Sequence, residues 1–337
     1  MIDSIIHKTL CLLQPERAHA VAKWAMKKKL RAPGEVNNLA TEMFGHALRN
    51  PLGLAAGFDK NGELVDVFKD YGFGFLEVGS VTLNGGCGNP KPRLFRIGDE
   101  SLLNRMGLNG EPAAFVAQRL FTTKNPGPYG VNIAKTHSPE IMGDAAIRDI
   151  QQCHKIMKPY GFYHALNISC PNTREGKTFE DPAVLKELLA AIANPVPPPS
   201  LRRKTPLLVK LSPTSTLSDG LRWAELEKLI NVCMDFKIDG FVCCNTVPHE
   251  DPKLGRGGLS GRSCYFLSRG VVRFINGMKT GKTIIACGGI YSGHEMWDYK
   301  NDGASAFQVY AGFVRGPHAG PRFASKVLKQ FFKRSDM

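Results

Sequence analysis

From residue 51 onward the chain repeats one pattern: a short apolar or β-branched run, a turn rich in Gly, Asn or Ser, then a stretch of helical periodicity. Eight runs of strand length carry it: PLGLAAG (51–57), FLEVGS (75–80), YGVNIA (129–134), YHALNIS (163–169), PLLVKLS (206–212), GFVCCNT (240–246), TIIACGG (283–289) and AFQVYAG (306–312). Helical spacing follows most of them, as over Asp144 to Lys158, Pro182 to Ala193, Leu217 to Phe236 and Pro321 to Lys333. Strands alternating with helices predict a parallel sheet, and eight such units predict a closed (β/α)8 TIM barrel. An open doubly wound sheet is the main alternative. It usually has fewer strands and would need a GxGxxG turn, which this sequence lacks.

Two stretches break the rhythm. Residues 81–128 are too long for one helix, and the alternation and glycines of NPKPRLFRIGDESLLNRMG suggest a hairpin inserted over the barrel mouth. Ahead of the barrel, apolar positions at Ile2, Ile5, Ile6, Leu10, Leu12 and Leu13, then Pro15, then Ala18, Val21, Ala22, Trp24, Ala25 and Met26 predict two short amphipathic helices. We therefore divide the chain into an N-terminal helical segment, 1–36, and a barrel domain, 37–337. The helical pair is either a hairpin packed on the body with a solvated basic rim or a shallow anchor at a membrane surface. The PVPPPS run at 195–200 reads as a surface linker.

Composition narrows the class. With 337 residues, 43% of them hydrophobic, the chain can bury a large core and is not a disordered tail. Its 44 basic and 30 acidic residues leave a net charge of +14, and residues 1–31 hold seven Lys/Arg against Asp3 and Glu16. No helix-turn-helix, zinc-finger or RNP-like pattern accompanies this charge, so nucleic acid is not the expected partner. Nine cysteines without a CxxC pair, and no signal-peptide pattern, point to reduced thiols in a cytosolic setting. No run of 18 apolar residues could span a bilayer, so any membrane contact is expected to be peripheral.

In a barrel of this kind the loops after the strands form the active face. The strand ends here offer Asp59 and Lys60, Ser80, Asn132, Asn167 with Cys170 and Asn172, Lys210, Asn245 with Thr246, Gly288 with Gly289, and Tyr310. Carboxylates are scarce, which argues against a glycosidase, and no HxH or HExxH spacing supports a metal hydrolase; no metal is expected. Converging amides both donate and accept, so they suit a ring bearing carbonyl and N–H groups, while lysine balances an anion. A single strand-end Asn is as often a turn residue; several at successive strands are harder to read that way. TIIACGGI and QVYAGF would present backbone N–H groups where such barrels hold a phosphate. GMKTGKT (277–283) is one residue short of a P-loop and leads into a strand, so it is not one. Cys170, between Asn167 and Asn172, is a candidate base or nucleophile, the alternative being an inert buried thiol.

These segments resemble the dihydroorotate dehydrogenases over essentially the whole chain. The resemblance rests on NPLGLAAGFDKNGE (50–63), GFGFLEVGSVT (72–82), KPRLFRIGDESLLNRMGLNG (91–110), NISCPNT (167–173), VKLSPT (209–214), CNT (244–246), GGLSGR (257–262), CGGI (287–290) and QVYAGF (308–313). It implies an FMN-dependent oxidation of dihydroorotate to orotate. By motif position, Ala56, Gly57, Lys60, Ser80, Asn132, Asn167, Lys210, Cys244, Gly261, Gly289, Tyr310 and Ala311 would hold the flavin. Lys60, Asn104, Arg105, Met106, Gly107, Leu108, Asn167, Asn172, Asn245 and Thr246 would hold the substrate. Cys170, with Lys60 and Lys210, would carry the catalysis: the thiol takes a proton from carbon 5 while hydride leaves carbon 6 for the flavin.

Two features point to different branches of the family. The N-terminal helices, LLQPERAH (12–19), Arg93 and Arg96 resemble the membrane-associated, quinone-reducing (class 2) branch, with His19, Arg96 and Tyr310 at its quinone tunnel. That branch generally uses Ser as base, whereas Cys170 in SCPN resembles the soluble fumarate- or NAD-linked (class 1) branch, and REGKTFED also departs from the quinone-type continuation. An extra helical element outweighs one side chain, so the expected acceptor is a membrane quinone and the expected location the cytoplasmic face of a bacterial-type inner membrane. A noncatalytic membrane-binding barrel is the remaining alternative.

Overall fold

The computed structural model describes residues 9–30, 40–169, 179–193, 205–213 and 220–335. Eight parallel strands close into a barrel in chain order: β1 (Leu52–Leu54), β2 (Phe75–Val81), β3 (Tyr129–Ile133), β4 (His164–Asn167), β5 (Leu207–Leu211), β6 (Gly240–Cys243), β7 (Thr283–Cys287) and β8 (Ala306–Val309), with β8 pairing back onto β1. Each coincides with one of the eight runs seen in the sequence, β2 running one residue further, to Val81. Their near-continuous apolar character has a simple cause, since a parallel strand under a ring of helices is buried on both faces. Leu76, Val78, Val131, Leu166, Val209, Phe241 and Phe307 pack outward against helices, which return apolar stripes at helical spacing: Leu185, Leu188 and Leu189 on Pro182–Ala193, and Leu226, Leu229, Ile230 and Cys233 on Gly220–Asp235. Each fully buried Leu contributes about 1.5–3 kcal/mol.

The alternate residues point inward and form layers. Phe75, Tyr163, Ala165, Leu208, Val242, Ile285 and Ala306 make an apolar bottom layer, capped from below by Met43 and Leu48 of a small hairpin, Thr41–Met43 with His46–Leu48. The sequence pattern did not reveal this hairpin, whose strands are three residues each. Room for two of the rings comes from missing side chains. A Cβ at Gly53 would lie 2.5 Å from the Phe75 ring, and one at Gly130 2.2 Å from that of Tyr163.

The inserted hairpin is present as Leu94–Ile97 with Ser101–Asn104, followed by the helix Ala113–Thr122. It is half of a larger element. A second hairpin, Val247–Asp251 with Gly255–Gly261, follows β6 and pairs with Ser101–Asn104 to make a four-stranded roof, so Gly257–Gly261 of GGLSGR is strand. The first strand is followed by turns and a 3-10 turn at Phe68–Tyr71, not by a regular helix. The PVPPPS linker lies outside the described residues.

The N-terminal helices, at residues 9–12 and Pro15–Lys27, lie against the barrel. Arg93 Nε donates to Glu16 at 3.0 Å, and Arg96 donates to Leu13 O at 2.8 Å and Leu10 O at 3.2 Å. Lys23 pairs with Glu63 and stands 3.8 Å from Asp59; Lys27 reaches Glu63 at 3.5 Å and Lys29 reaches Asp70 at 2.9 Å. Part of the basic rim is thus turned to acidic groups of the barrel rather than outward. Leu12, Val21, Trp24 and Leu30 remain exposed on the same unit. No helix among the described residues is long and apolar enough to cross a membrane.

Candidate active site

One step above the apolar layer, the inward positions turn polar. Glu77 lies two residues after Phe75, Asn132 two after Gly130, Asn167 two after Ala165, Lys210 two after Leu208 and Gln308 two after Ala306, so the pleat that builds the core also stacks these groups at the barrel's upper end. They form one directional hydrogen-bond chain. Asn245 Nδ2 donates to Asn167 Oδ1 (3.2 Å), Asn167 Nδ2 to Ser80 Oγ (3.1 Å), Ser80 Oγ to Asn132 Oδ1 (2.5 Å), and Asn132 Nδ2 to Glu77 Oε1 (2.9 Å). Each amide is locked with a known end toward its neighbour, as recognition of a flat amide-bearing ring requires. Lys210, buried beside this chain, stands 3.8 Å from Glu77.

Above lies a cleft of about 1210 Å³, its mouth included, between the strand ends and the roof. Strand ends contribute Ala56, Gly57, Lys60, Ser80, Asn167 and Lys210; further along the chain Cys244, Asn245, Thr246, Gly261 and Gly289 line it, then Tyr310 and Ala311. The roof supplies Asn104, Met106 and Leu108, with Asn104 Nδ2 donating to Gly258 O at 3.0 Å. Lys60 Nζ donates to Asn109 Oδ1 at 2.9 Å. The segment after β7 presents bare backbone: at Gly289 (φ +67°) a Cβ would sit 2.6 Å from Tyr265, and one at Gly312 would meet Ile290 O at 2.0 Å, so the turns after β7 and β8 meet as one small-residue wall.

Four expected site residues stand elsewhere. Asn132 is fully buried behind Ser80 and does not line the cleft. Arg105 turns into the roof, donating to Leu254 O (3.0 Å) and Pro92 O (3.2 Å) with its guanidinium over Phe95, and Gly107 occupies a turn against Asn89. Asp59 is a fully buried cap whose carboxylate accepts from the backbone N–H of Glu63 (2.9 Å) and Leu64 (2.7 Å). Cys170 and Asn172 lie outside the described residues. Ser169, just before Cys170, accepts two bonds from Asn245 Nδ2, through O at 3.0 Å and Oγ at 3.1 Å.

Sequence reading missed Glu77, Tyr163 and Gln308, and the thiols Cys264 and Cys287 that line the cleft. The signal for the first group was available: a lone Glu or Gln at an inward position of an otherwise apolar strand has to be paired inside the barrel. Burial holds the lining thiols protonated, pushing Cys287 up to about 11 and Cys264 to about 12.

A second cavity, about 1500 Å³ with its mouth, lies between the N-terminal helices and the barrel. Its lining is mostly apolar, including Leu10, Ala18, Ala22, Met26, Phe313 and Val314, with His19, Arg96 and Tyr310 among the few polar side chains. Leu94, Leu102 and Tyr310 line both cavities, so they form the partition between them. His19 Nε2 donates to Phe58 O at 2.8 Å, which leaves Nδ1 to accept from Tyr310 OH at 3.4 Å. Burial lowers the His19 pKa to about 4, so the ring is neutral at neutral pH, and burial raises that of Tyr310 well above a phenol's usual value.

The comparisons with known proteins agree with this geometry. The family model of dihydroorotate dehydrogenase matches residues 38–333. The dihydroorotate dehydrogenase (quinone) of Natronomonas pharaonis is 36% identical over 302 residues, covering 88% of this chain and 81% of that protein; that of Baumannia cicadellinicola is 34% identical over 97% of this chain and 99% of that protein. A ligand-free crystal structure of the enzyme from Eimeria tenella matches with a TM-score of 0.81 at 29% identity, over 96% of this chain and 95% of that one. With the family model matching residues 38–333 and relatives above 30% identity over most of its length, the chain belongs to the dihydroorotate dehydrogenase family.

Proposed function

We propose that this enzyme oxidises (S)-dihydroorotate to orotate in the de novo pyrimidine pathway to UMP, with FMN as cofactor and a membrane quinone as electron acceptor. The observation that carries this reading is the shared wall: the cleft that holds the polar strand ends and an almost wholly apolar cavity are separated by little more than Tyr310 and two leucines. An acceptor with an apolar tail fits the second cavity; fumarate or NAD, both strongly polar, does not.

The cleft suits FMN. The Gly289 and Ala311–Gly312 wall leaves room for a phosphate against backbone, and Lys210, Ser80 and Asn167 offer donors to a flat ring. Ala56, Gly57, Cys244, Gly261 and Tyr310 would complete the holding set, with Asn132 acting from behind Ser80. When bound, FMN supplies hydride acceptance from the substrate and electron release to the quinone. The protein's own groups do the rest. Cys170 accepts the proton from carbon 5, and Lys60 and the Asn167, Asn172, Asn245 and Thr246 set orient the ring and its carboxylate under the roof, with Asn104, Met106 and Leu108 above and Gly107 and Arg105 shaping that roof from behind. Residues 1–36 form the quinone-associated unit, seated peripherally on the cytoplasmic face of a bacterial-type inner membrane through the exposed Leu12, Val21 and Trp24.

The purified enzyme is expected to be yellow, to bleach on anaerobic addition of dihydroorotate, and to recover its colour with a short-tailed quinone but not with fumarate or NAD. Recovery with fumarate or NAD alone would move the enzyme to the soluble branch that Cys170 resembles. A colourless protein indifferent to dihydroorotate would leave the noncatalytic reading.

A further inference from the structure

Glu77 is fully buried, does not line the cleft and has no place in the reaction as written. A barrel interior is ordinarily filled by branched apolar side chains, and an ionised carboxylate there is costly unless its surroundings compensate it. Here they do so completely. Tyr163 OH and Gln308 Nε2 each donate to Oε2 at 2.7 Å, Asn132 Nδ2 donates to Oε1 at 2.9 Å, and Lys210 Nζ stands 3.8 Å from Oε1. Burial first, and Glu77 second, push the Tyr163 phenol well above its usual range, so it remains a donor. Two of these partners also reach the cleft: Lys210 and Gln308 line it, and the Gln308 Oε1 is buried with no partner among the described residues.

We propose that Glu77 is a positioning residue that sets the reduction potential of the flavin by offsetting the charge of Lys210 and orienting Asn132 and Gln308. The proposal rests on the FMN reading above. Reduction adds negative charge to the group in the cleft, and Lys210 alone would stabilise that charge strongly in a low-dielectric interior. A carboxylate 3.8 Å behind the ammonium weakens its field, which keeps the potential low enough for electrons to pass onward to the acceptor.

The test is a spectroelectrochemical titration of the flavin bound to wild type, Glu77→Gln and Tyr163→Phe. Glu77→Gln keeps the shape and removes the charge, so the reduced-to-oxidised ratio at a fixed potential is expected to rise about tenfold, a positive shift of about 30 mV for a two-electron couple. Reoxidation by quinone slows while reduction by dihydroorotate does not. Tyr163→Phe removes one donor from Oε2 and leaves more of the negative charge acting on Lys210, so its shift is smaller and negative. Opposite signs are not what loosened packing would produce. Unchanged potentials, or shifts of the same sign, overturn the proposal. Should Glu77→Gln lose its flavin, Tyr163→Phe decides alone, a negative shift supporting and any other result overturning it. A colourless wild type overturns the FMN reading and this proposal together, whereas a yellow wild type with unmoved variants overturns this proposal only.

Discussion

At the cleft, the thiols differ by what surrounds them. Cys244, Cys264 and Cys287 line it, yet burial raises all three, so none can act as a base near neutrality. The proposed base is Cys170, which its place between two amides in NISCPNT marks in the sequence. Replacing Cys170 by Ala should slow flavin reduction by dihydroorotate by about 10²–10⁴-fold in stopped flow, the usual worth of a positioned base. Replacing it by Ser should keep part of the rate, because a hydroxyl can serve if its surroundings activate it. Near-native reduction in the Ala variant would remove Cys170 from the mechanism. Within the polar layer, Asn132 and Asn167 are marked by amide-rich strand ends, whereas Glu77 and Gln308, in the same layer, are single polar residues inside apolar runs.

Among the elements, the roof and the N-terminal helices are the parts that convert a common barrel into this enzyme. The roof joins strands about 150 residues apart in sequence, as when Gly258 pairs with Asn104, and no local pattern could have announced that partnership. The helices hold to the barrel by polar contacts through Arg93, Arg96 and Lys23 and by buried Met26, while much of their inward faces borders a cavity. A chain beginning at residue 37 is therefore expected to fold, to hold FMN and to be reduced by dihydroorotate in single turnover, yet to lose turnover with quinone and affinity for anionic vesicles. Vesicle flotation and stopped-flow reduction measure the two effects separately. Retention of quinone turnover by the truncated chain would break the link between the helices and the acceptor.

For the molecule as a whole, desolvated histidines, His164 buried and His19 and His154 half-buried, are expected to limit its tolerance of acid. His19 and His164 are lowered to about 4 and His154 to about 3, burial being the largest cause in each. His154 and His164 also face each other with ring centres 5.0 Å apart. Between these values and about 6.5 the unfolded chain binds protons that the folded one does not, so the histidine contribution to stability rises with pH across pH 3–6.5 and is constant above it. Buried Asp59, raised in pKa, works in the opposite sense, but one carboxylate stands against three imidazoles. Each tenfold loss of proton affinity on folding corresponds to about 1.4 kcal/mol. The melting temperature is expected to fall by several degrees from pH 7 to pH 4.5, and His154→Leu should lessen that fall. A melting temperature flat over this interval would contradict the assignment.

Much of this enzyme is local in origin, and what is local is readable. Eight apolar runs, their helices, the first roof hairpin and the polar strand ends follow from periodicity and turn chemistry within a dozen residues, because a strand between helices must be apolar on both faces wherever it lies. Other features exist only once the barrel closes. Glu77 meets Gln308 across 231 residues, Gly258 meets Asn104 across the roof, and Tyr310 becomes a wall between two cavities because the N-terminal helices settle on one side of it and the strand ends on the other. The amphipathic pattern of those helices specifies an apolar face but not what that face covers. Closure brings distant strands into register, and which polar groups then meet is decided by three-dimensional packing, a quantity that no window along the chain contains.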